Sequence, residues 1–438
     1  MDLFTGASIV IVLAAVFGYV NVRFLRLPNA IGLMLIAIIA TFIFGTSTWV
    51  SPGLKTSAIK LIETIDFQHI LLDVLLGFLL FAGALHTNLT QLRVYRWPVM
   101  VFATIGVFLS TLLTATLVYF VFRWIQIEIP FIQCLLFGAL ISPTDPIAVM
   151  GILRKAGVPK GLEIKVVGES LFNDGVGVVI FLTILNVFNA STGGGGHGEG
   201  ASEGAHQAGW LGILQLFGQE VLGGIVLGIA LGYLTYRLMK SIDDYEIEVI
   251  ITLACVMGGY SLARYLHVSA PLAMVVAGLI VGNDTVRRTA MSETTEQYVD
   301  KFWELIDVLM NVVLFVLIGI EILVITLKPE YFLATGCAIA IVLLARFLSL
   351  ILPIQYFKKQ LDFAPYTTLI MTWGGLRGGI SIALALSLPL EAHRELFLTI
   401  TYGVVIFSIL VQGLSIGPLT GRLLPCTSPE DAGEAAPH

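Results

Sequence analysis

The sequence predicts an all-α polytopic membrane protein. It has 13 transmembrane helices, arranged as two inverted six-helix repeats with broken crossing helices at spans 5 and 12. Three observations carry this reading. Of 438 residues, 57% are hydrophobic and only 12% are charged, whereas an ordinary soluble domain has about 25% charged residues. Apolar runs long enough to cross a bilayer, which takes about 20 residues, recur along the whole chain. Two of those runs are interrupted by polar segments rich in proline or glycine.

In rounded limits the spans run 7–25, 29–46, 68–88, 97–121, 131–153, 162–188, 210–238, 245–263, 268–283, 302–326, 331–356, 364–389 and 395–420. Met1 to Gly6 carries no basic residue, so the first run is expected to remain as a helix and not to be cleaved as a signal peptide. Basic residues orient the chain. The loops after spans 1, 3, 5, 7, 9 and 11, with the tail, hold sixteen: Arg23, Arg26, Arg93, Arg96, Arg154, Lys155, Lys160, Lys165, Arg237, Lys240, Arg287, Arg288, Lys301, Lys358, Lys359 and Arg422. The opposite loops hold six: Lys55, Lys60, Arg123, Arg264, Lys328 and Arg394. The positive-inside rule puts the first set in the cytoplasm, with the N-terminus outside and the C-terminus inside. Arg346 and Arg377 remain, both within spans, and both need a partner or a role.

Net charge is −6 and no basic block suggests nucleic acid. Cys134, Cys255, Cys337 and Cys426 have no metal-type spacing and read as packing residues. The segment from Ala190 to Ala208, with His197 and His206, reads as an external solvated linker, and the tail from Pro425 to His438 as a short polar extension.

Ser142-Pro143-Thr144-Asp145-Pro146 interrupts span 5. Proline removes a backbone donor and clashes with the preceding turn, so that span should unwind near Asp145. Trp373-Gly374-Gly375-Leu376-Arg377-Gly378-Gly379 weakens span 12 in the same way. Spans 1–6 and 8–13 would then each have a broken fifth member, and an odd offset of seven spans inverts one unit relative to the other. No residue-level repeat accompanies this, so the symmetry rests on the span count. It is the pattern of inverted-repeat secondary transporters, whose sites form at broken helices near the membrane midplane.

Span 6 is the centre of the chemistry. It carries Glu169-Ser170-Leu171-Phe172-Asn173-Asp174-Gly175-Val176-Gly177 at its middle. Polar groups at that depth are expensive and are kept for a job. Ser170 and Asp174 lie four apart on one face, and Glu169 and Asn173 four apart on the neighbouring face. Gly168, Gly175 and Gly177 leave room for another helix or an ion. A dehydrated monovalent cation wants several oxygen ligands with carboxylate charge among them. Asp174, Asp145, the hydroxyls of Ser170 and Thr144, and freed carbonyls around Pro143 supply such a set. The same carboxylate takes a proton, so proton and cation compete for one site. With alternating access, that competition is sufficient for antiport. Asp145 has a second reading as the N-cap of the second half of span 5, and Thr144 and Ser170 as hydroxyls bonded to their own helices.

Glu169 and Arg346 read as a structural ion pair, with Asn173 on the Glu169 face, bracing span 6 against span 11. Arg377 is a supporting residue, expected to meet helix C-terminal carbonyls at the span 12 break. Asp73, Asp307 and Glu321 are weaker acid candidates, the last two near the ends of span 10.

Gly168-Glu169-Ser170-Leu171-Phe172-Asn173-Asp174-Gly175 resembles the signature of the cation/proton antiporter 1 family, which includes the NhaP-like prokaryotic sodium/proton antiporters and the animal sodium/proton exchangers. Ser142 to Pro146, Ala345-Arg346 and Gly374 to Gly378 resemble its other motifs, in family order. The resemblance implies exchange of Na+ or Li+ for H+ at the cell membrane, in the service of pH and sodium homeostasis, with no cofactor beyond the transported ions. It implies Asp174 as the carrier of ion and proton. Asp145, Thr144, Ser170 and Asn173 then stand at or near the Na+ site. Asn173 stands where electrogenic relatives have a second aspartate, so exchange should be electroneutral. It also implies a homodimer: residues 1–424 form the antiporter domain, with core helices around 68–188 and 302–420, dimerisation helices around 7–46 and 210–283, and 425–438 as a cytoplasmic tail. Many relatives have an acid after a Leu-Phe pair in the third span. Here Leu80-Phe81 is followed by Ala82. The nearest alternative is K+/H+ exchange. An intramembrane aspartyl protease using Asp145 and Asp174 is a different class, but the chain has no Gly-x-Gly-Asp motif and Arg346 has no task in hydrolysis. A solute symporter would need a wider, more polar cavity.

Overall fold

The computed structural model describes residues 3–47, 70–87, 89–145, 153, 158–191, 210–322, 328–358 and 366–423. Among them all regular structure is helical and no strand occurs. A chain this apolar must satisfy its backbone internally when lipid replaces water, and the helix does so within one segment.

The first helices are α1 (Leu3–Val20), α2 (Asn29–Ser47), α3 (Leu76–Leu85), α4 (Leu89–Val94), α5 (Arg96–Trp124) and α6 (Phe131–Ile141). Then come α7 (Lys160–Ser191), α8 (Trp210–Met239), α9 (Tyr245–Tyr265), α10 (Ala270–Val281), α11 (Asp284–Ala290) and α12 (Glu293–Glu321). The last are α13 (Pro329–Phe357), α14 (Thr367–Trp373), α15 (Gly379–Leu386) and α16 (Arg394–Leu423). Among the described residues, eight helices are long and apolar enough to cross a membrane. A ninth crossing counts if α10 and α11, which bend by 62°, are one span.

Large apolar side chains such as Trp124, Tyr265 and Leu352 stand exposed on the outside, as a lipid-facing surface requires. Inside, one buried cluster joins α3, α5, α6, α7, α9 and α10 through Phe81, Phe122, Phe137, Phe181 and Met274. A second joins α1, α2, α12, α13 and α14 to α16 through Ile31, Met34, Phe315, Leu350 and Ile409. One close approach is α8 on α10, where a Cβ added at Gly228 would lie 2.6 Å from the Ala273 carbonyl oxygen. Small residues let two backbones meet in this way without a hydrophobic driving force.

Both polar interruptions break helices. The backbone leaves the helix at Ser142 and stays irregular to Asp145, so α6 ends well short of the expected limit at 153; residues 146–152 lie outside the described set. Residues 374–378 separate α14 from α15. α12 begins at Glu293, not 302. Its first turns carry Glu293, Glu296 and Asp300, which a hydropathy reading discards as loop. Arg287 holds the last two in place, its Nη1 2.8 Å from Asp300 and 3.3 Å from Glu296, while Nη2 donates to the Leu85 carbonyl at the end of α3 (3.1 Å). Asp307 and Glu321 therefore fall at different depths: Asp307 is near mid-helix, while Glu321 closes it. Asp73 lies in a π-helical turn over Ile70–Leu75 that leads into α3. Cys134 and Cys255 are buried thiols and Cys337 is partly buried. Cys426, the linker with His197 and His206, and the tail lie outside the described residues.

Candidate ion-binding site

α7 runs unbroken for 32 residues and carries four buried polar side chains at its middle, Glu169, Ser170, Asn173 and Asp174, each at most 6% exposed. At about 100° per residue, Asn173 falls about 40° round from Glu169, Ser170 about 100° and Asp174 about 140°. Asn173 is thus between the two faces. The glycines alongside make room for helices: a Cβ at Gly168 would meet Leu92 at 2.7 Å, one at Gly175 would meet Leu272 at 2.7 Å, and one at Gly177 would run into the ring of Pro143. The last contact seats the broken segment directly against α7.

That segment is held from three sides. Thr144 is 1% exposed. Its N–H donates to Asn173 Oδ1 (3.3 Å), its hydroxyl accepts from Asn173 Nδ2 (2.8 Å), and its hydroxyl also bonds Ser170 Oγ (2.9 Å). Asn173 therefore belongs with Ser170 and Thr144, and the expectation that it shares the Glu169 brace is corrected. Its position between the faces lets it reach either side, and Thr144 offers both the donor and the acceptor an amide needs. Thr144 and Ser170 bond each other across from the broken segment to α7, which departs from the reading of hydroxyls turned back on their own backbones. From the other broken segment, the Leu376 carbonyl accepts from the Asp145 N–H (2.8 Å).

Arg377 supplies the third support. It is 2% exposed, and its Nη1 donates to the carbonyls of Ser142 (2.5 Å) and Pro143 (2.9 Å). The sequence reading expected it to serve the span 12 break, where it resides. Instead it crosses to the end of α6, where unpaired carbonyls gather the negative end of the helix dipole. The span 12 break is served by residues of α16: Ser408 Oγ accepts from the Arg377 N–H (2.9 Å), and Gln412 Nε2 donates to the Trp373 carbonyl (2.9 Å).

On the opposite side of α7, Arg346 Nη1 lies 2.5 Å from Glu169 Oε1, both side chains at most 4% exposed. Two charges taken out of water in this way hold only when paired.

Between these supports lies a cavity. Pro143, Thr144, Asp145, Leu171 and Asp174 line one side, Leu76, Leu79, Leu80 and Gly83 of α3 another, and Asn311, Leu314 and Gly378 to Ser381 the rest. Asp174, unlike Glu169, bonds no basic side chain among the described residues. Gly378 lets the α15 backbone close on Asp145, since a Cβ there would lie 2.8 Å from Asp145 Oδ2. Ala82 is fully buried, and α3 shows the cavity leucines and a glycine. Among the described residues, no three His, Cys, Asp or Glu side chains converge on a point. The donors that do converge are hard oxygens, two carboxylates with a hydroxyl, a set that suits a monovalent cation better than a transition metal. Sequence reasoning missed Asn311, Gly378, Ser381, Ser408 and Gln412. Only Gly378 had a signal, its place in the glycine-rich break. The others are isolated small polar residues in apolar helices, and only the tertiary packing brings them to the site.

Three comparisons bear on identity. The family model described as "Sodium/hydrogen exchanger, transmembrane" matches residues 11–422. The Na(+)/H(+) antiporter NhaP of Pseudomonas aeruginosa is 48% identical over 421 residues, covering 94% of this chain and 95% of that protein. The Na(+)/H(+) antiporter NhaH of Halobacillus dabanensis is 31% identical, covering 92% of this chain and 93% of that protein. Among solved structures, the sodium proton antiporter MjNhaP1 from Methanocaldococcus jannaschii superposes with a TM-score of 0.74 at 20% identity, over 97% of this chain and 99% of that one, which shows a shared fold. These are transporters and not enzymes. The chain belongs to the transmembrane sodium/hydrogen exchanger family.

Proposed function

We propose that this protein exchanges Na+, or Li+, for H+ across the cell membrane by alternating access, one ion at a time at Asp174. The observation that carries this is the contrast between two buried carboxylates on one helix. Glu169 is neutralised by Arg346, whereas Asp174 opens on a cavity beside Asp145 and the Thr144 hydroxyl with no fixed cation bonded to it. A mobile cation, or a proton, fills that role. Asp145, Thr144 and Ser170 complete or position the cation's oxygen shell, and Asn173 fixes Thr144. A carboxylate carrying either one Na+ or one H+ is neutral in both forms, and Asn173 adds no second charge, so exchange is electroneutral.

The same reading makes the finer architecture thirteen crossings in two inverted repeats, with the N-terminus outside and the C-terminus in the cytoplasm. The core helices around 68–188 and 302–420 move against dimerisation helices around 7–46 and 210–283, in a homodimer that serves pH and sodium homeostasis. Support comes from the paired breaks near Asp145 and Arg377, which meet at the cavity, and from the bias of basic residues.

The test is purified protein in liposomes with Na+, Li+ and K+ gradients, with and without a clamped membrane potential. Na+ and Li+ gradients should drive a pH change that the clamp leaves unaltered, and Asp174→Asn should abolish it. A response to K+ alone would move the protein to K+/H+ exchange. No cation-driven pH change in wild type, or equal exchange by Asp174→Asn, would overturn the reading.

A further inference from the structure

Asn311 stands out among the polar groups of α12. Its side chain is 6% exposed and is part of the wall of the cavity that Asp145 and Asp174 share. The amide nitrogen is fully engaged: Nδ2 donates to the Asp307 carbonyl (2.8 Å) and to Asp307 Oδ1 (3.2 Å). That engagement also fixes which way the amide points. Both partners are acceptors, so the turned-over amide would set its oxygen against two other oxygens at those distances. The carbonyl oxygen Oδ1 is therefore held away from Asp307, and it is buried without a hydrogen-bond partner. A buried acceptor left unmet costs free energy, and native structures keep few of them without a reason.

The surroundings say what would meet it. The α3 wall facing the cavity is built from Leu76, Leu79, Leu80 and Gly83 and has no polar side chain to offer. The charged groups on the cavity, Asp145 and Asp174, are acids and so bring acceptors when ionised, and neither of its hydroxyls, those of Thr144 and Ser381, bonds Asn311 Oδ1. A carbonyl oxygen among carboxylates cannot be satisfied by them, but a cation satisfies all of them together, since hard cations take several neutral and charged oxygens in one shell. We propose that Asn311 Oδ1 is a further ligand of the transported cation, presented from α12 into the cavity that Asp174 lines, with Asp307 as the residue that aims it. This rests on the exchange reading of the cavity and adds to it a neutral ligand from a helix that carries none of the sequence motifs.

The test compares Asn311→Leu, which removes the oxygen in a similar volume, with the exchanged pair Asp307→Asn/Asn311→Asp, which keeps an oxygen at 311 and a hydrogen bond between the two. Exchange is measured in proteoliposomes as a function of Na+, with thermal unfolding of the purified proteins alongside. Asn311→Leu should raise the Na+ concentration at half-maximal rate by roughly 10-fold, as expected for one lost contact to a charge. Its maximal rate should stay within about twofold, because uniform binding has been removed and not the chemistry. Its unfolding temperature should not fall. The exchanged pair should return the half-maximal concentration to within about threefold of wild type. An unchanged half-maximal concentration in Asn311→Leu overturns the assignment. So does a fall in maximal rate and unfolding temperature at constant half-maximal concentration, which is the signature of a merely structural residue. Asp174→Asn run in parallel separates the layers: if it still exchanges, the cavity reading itself has failed; if it is inactive while Asn311→Leu equals wild type, only the role of Asn311 has failed.

Discussion

Two sides of one helix handle buried charge in opposite ways. On one side of α7, Glu169 meets Arg346 at 2.5 Å and both are sealed from solvent. On the other, Asp174 shares a cavity with Asp145 and bonds no basic side chain among the described residues. A carboxylate whose counter-ion is covalently part of the protein is structural, because nothing can exchange. A carboxylate whose counter-ion must arrive from outside is, on the exchange reading proposed above, the site. Asn173, lying between them, keeps the site's framework in register through Thr144.

This contrast breaks first at the two acids. Asp174→Asn should leave a folded protein with normal unfolding and no exchange, measured as cation-driven pH change in proteoliposomes. Glu169→Gln should do the reverse at the level of the fold. Removing one partner of a buried pair costs about 3–5 kcal/mol, a large part of the roughly 5–15 kcal/mol that holds a protein folded. Expression and detergent stability should collapse. Glu169→Met combined with Arg346→Met should recover much of the loss, since two apolar side chains need no partner. If Glu169→Gln were stable and merely inactive, the division of α7 into brace and site would be wrong.

Next in size is Asn173→Ala. It leaves the Thr144 N–H without its acceptor and removes one of the two hydrogen-bond partners of the Thr144 hydroxyl, Ser170 remaining. The cost is about 1–3 kcal/mol for an unmet buried group, read as a lower unfolding temperature together with weaker cation dependence of the rate. An effect on stability alone would place Asn173 with the brace after all.

How much of this was legible in the sequence follows the same line. The carboxylates, the proline break and the glycine break stand out because each violates what a membrane helix tolerates, and Glu169 with Arg346 could be matched as opposite charges at similar depth. Asn173 could not be assigned a face, because a position about 40° from one acid and about 100° from the other is decided by what packs there. Arg377 was traced to carbonyls, but to those of its own break. Its side chain crosses to Ser142 and Pro143, and only the juxtaposition of the two broken segments shows that. Asn311 and Ser408 carried no signal, since a single amide or hydroxyl in an apolar helix reads the same whether it faces a cavity, a neighbour or its own backbone. The early start of α12 was lost because the residues that make it, Glu296 and Asp300, are paired by Arg287 outside the apolar run.

Gly378→Ala probes the site without touching a charge. The added methyl would lie 2.8 Å from Asp145 Oδ2 and 2.9 Å from Asp145 Cβ. The cheapest escape is for the Asp145 side chain to turn, which withdraws or misplaces an oxygen. The half-maximal Na+ concentration should rise by about 10-fold, equivalent to about 1.4 kcal/mol, with a smaller effect on unfolding temperature than Asn173→Ala. Unchanged cation dependence would show that the position of Asp145 does not matter to the ion.

The smallest effect is expected where a charge pair has neither property, sealed brace nor open site. Lys328 lies 2.9 Å from Glu395 Oε2 at the start of α13, with both side chains largely exposed. By distance alone the contact is close to that of Arg287 with Asp300, at 2.8 Å. Water, however, solvates each partner nearly as well as the other does, and salt screens what attraction remains. Lys328→Met should therefore shift the unfolding temperature by no more than about 1 °C and leave the cation dependence of exchange unchanged. Set beside Glu169→Gln, this variant isolates burial as the variable, because both remove one end of an acid–base contact of similar length. A loss of stability approaching that of Glu169→Gln would mean that the N-terminal end of α13 is sealed from water, and that the brace extends further along this helix than the Glu169–Arg346 pair.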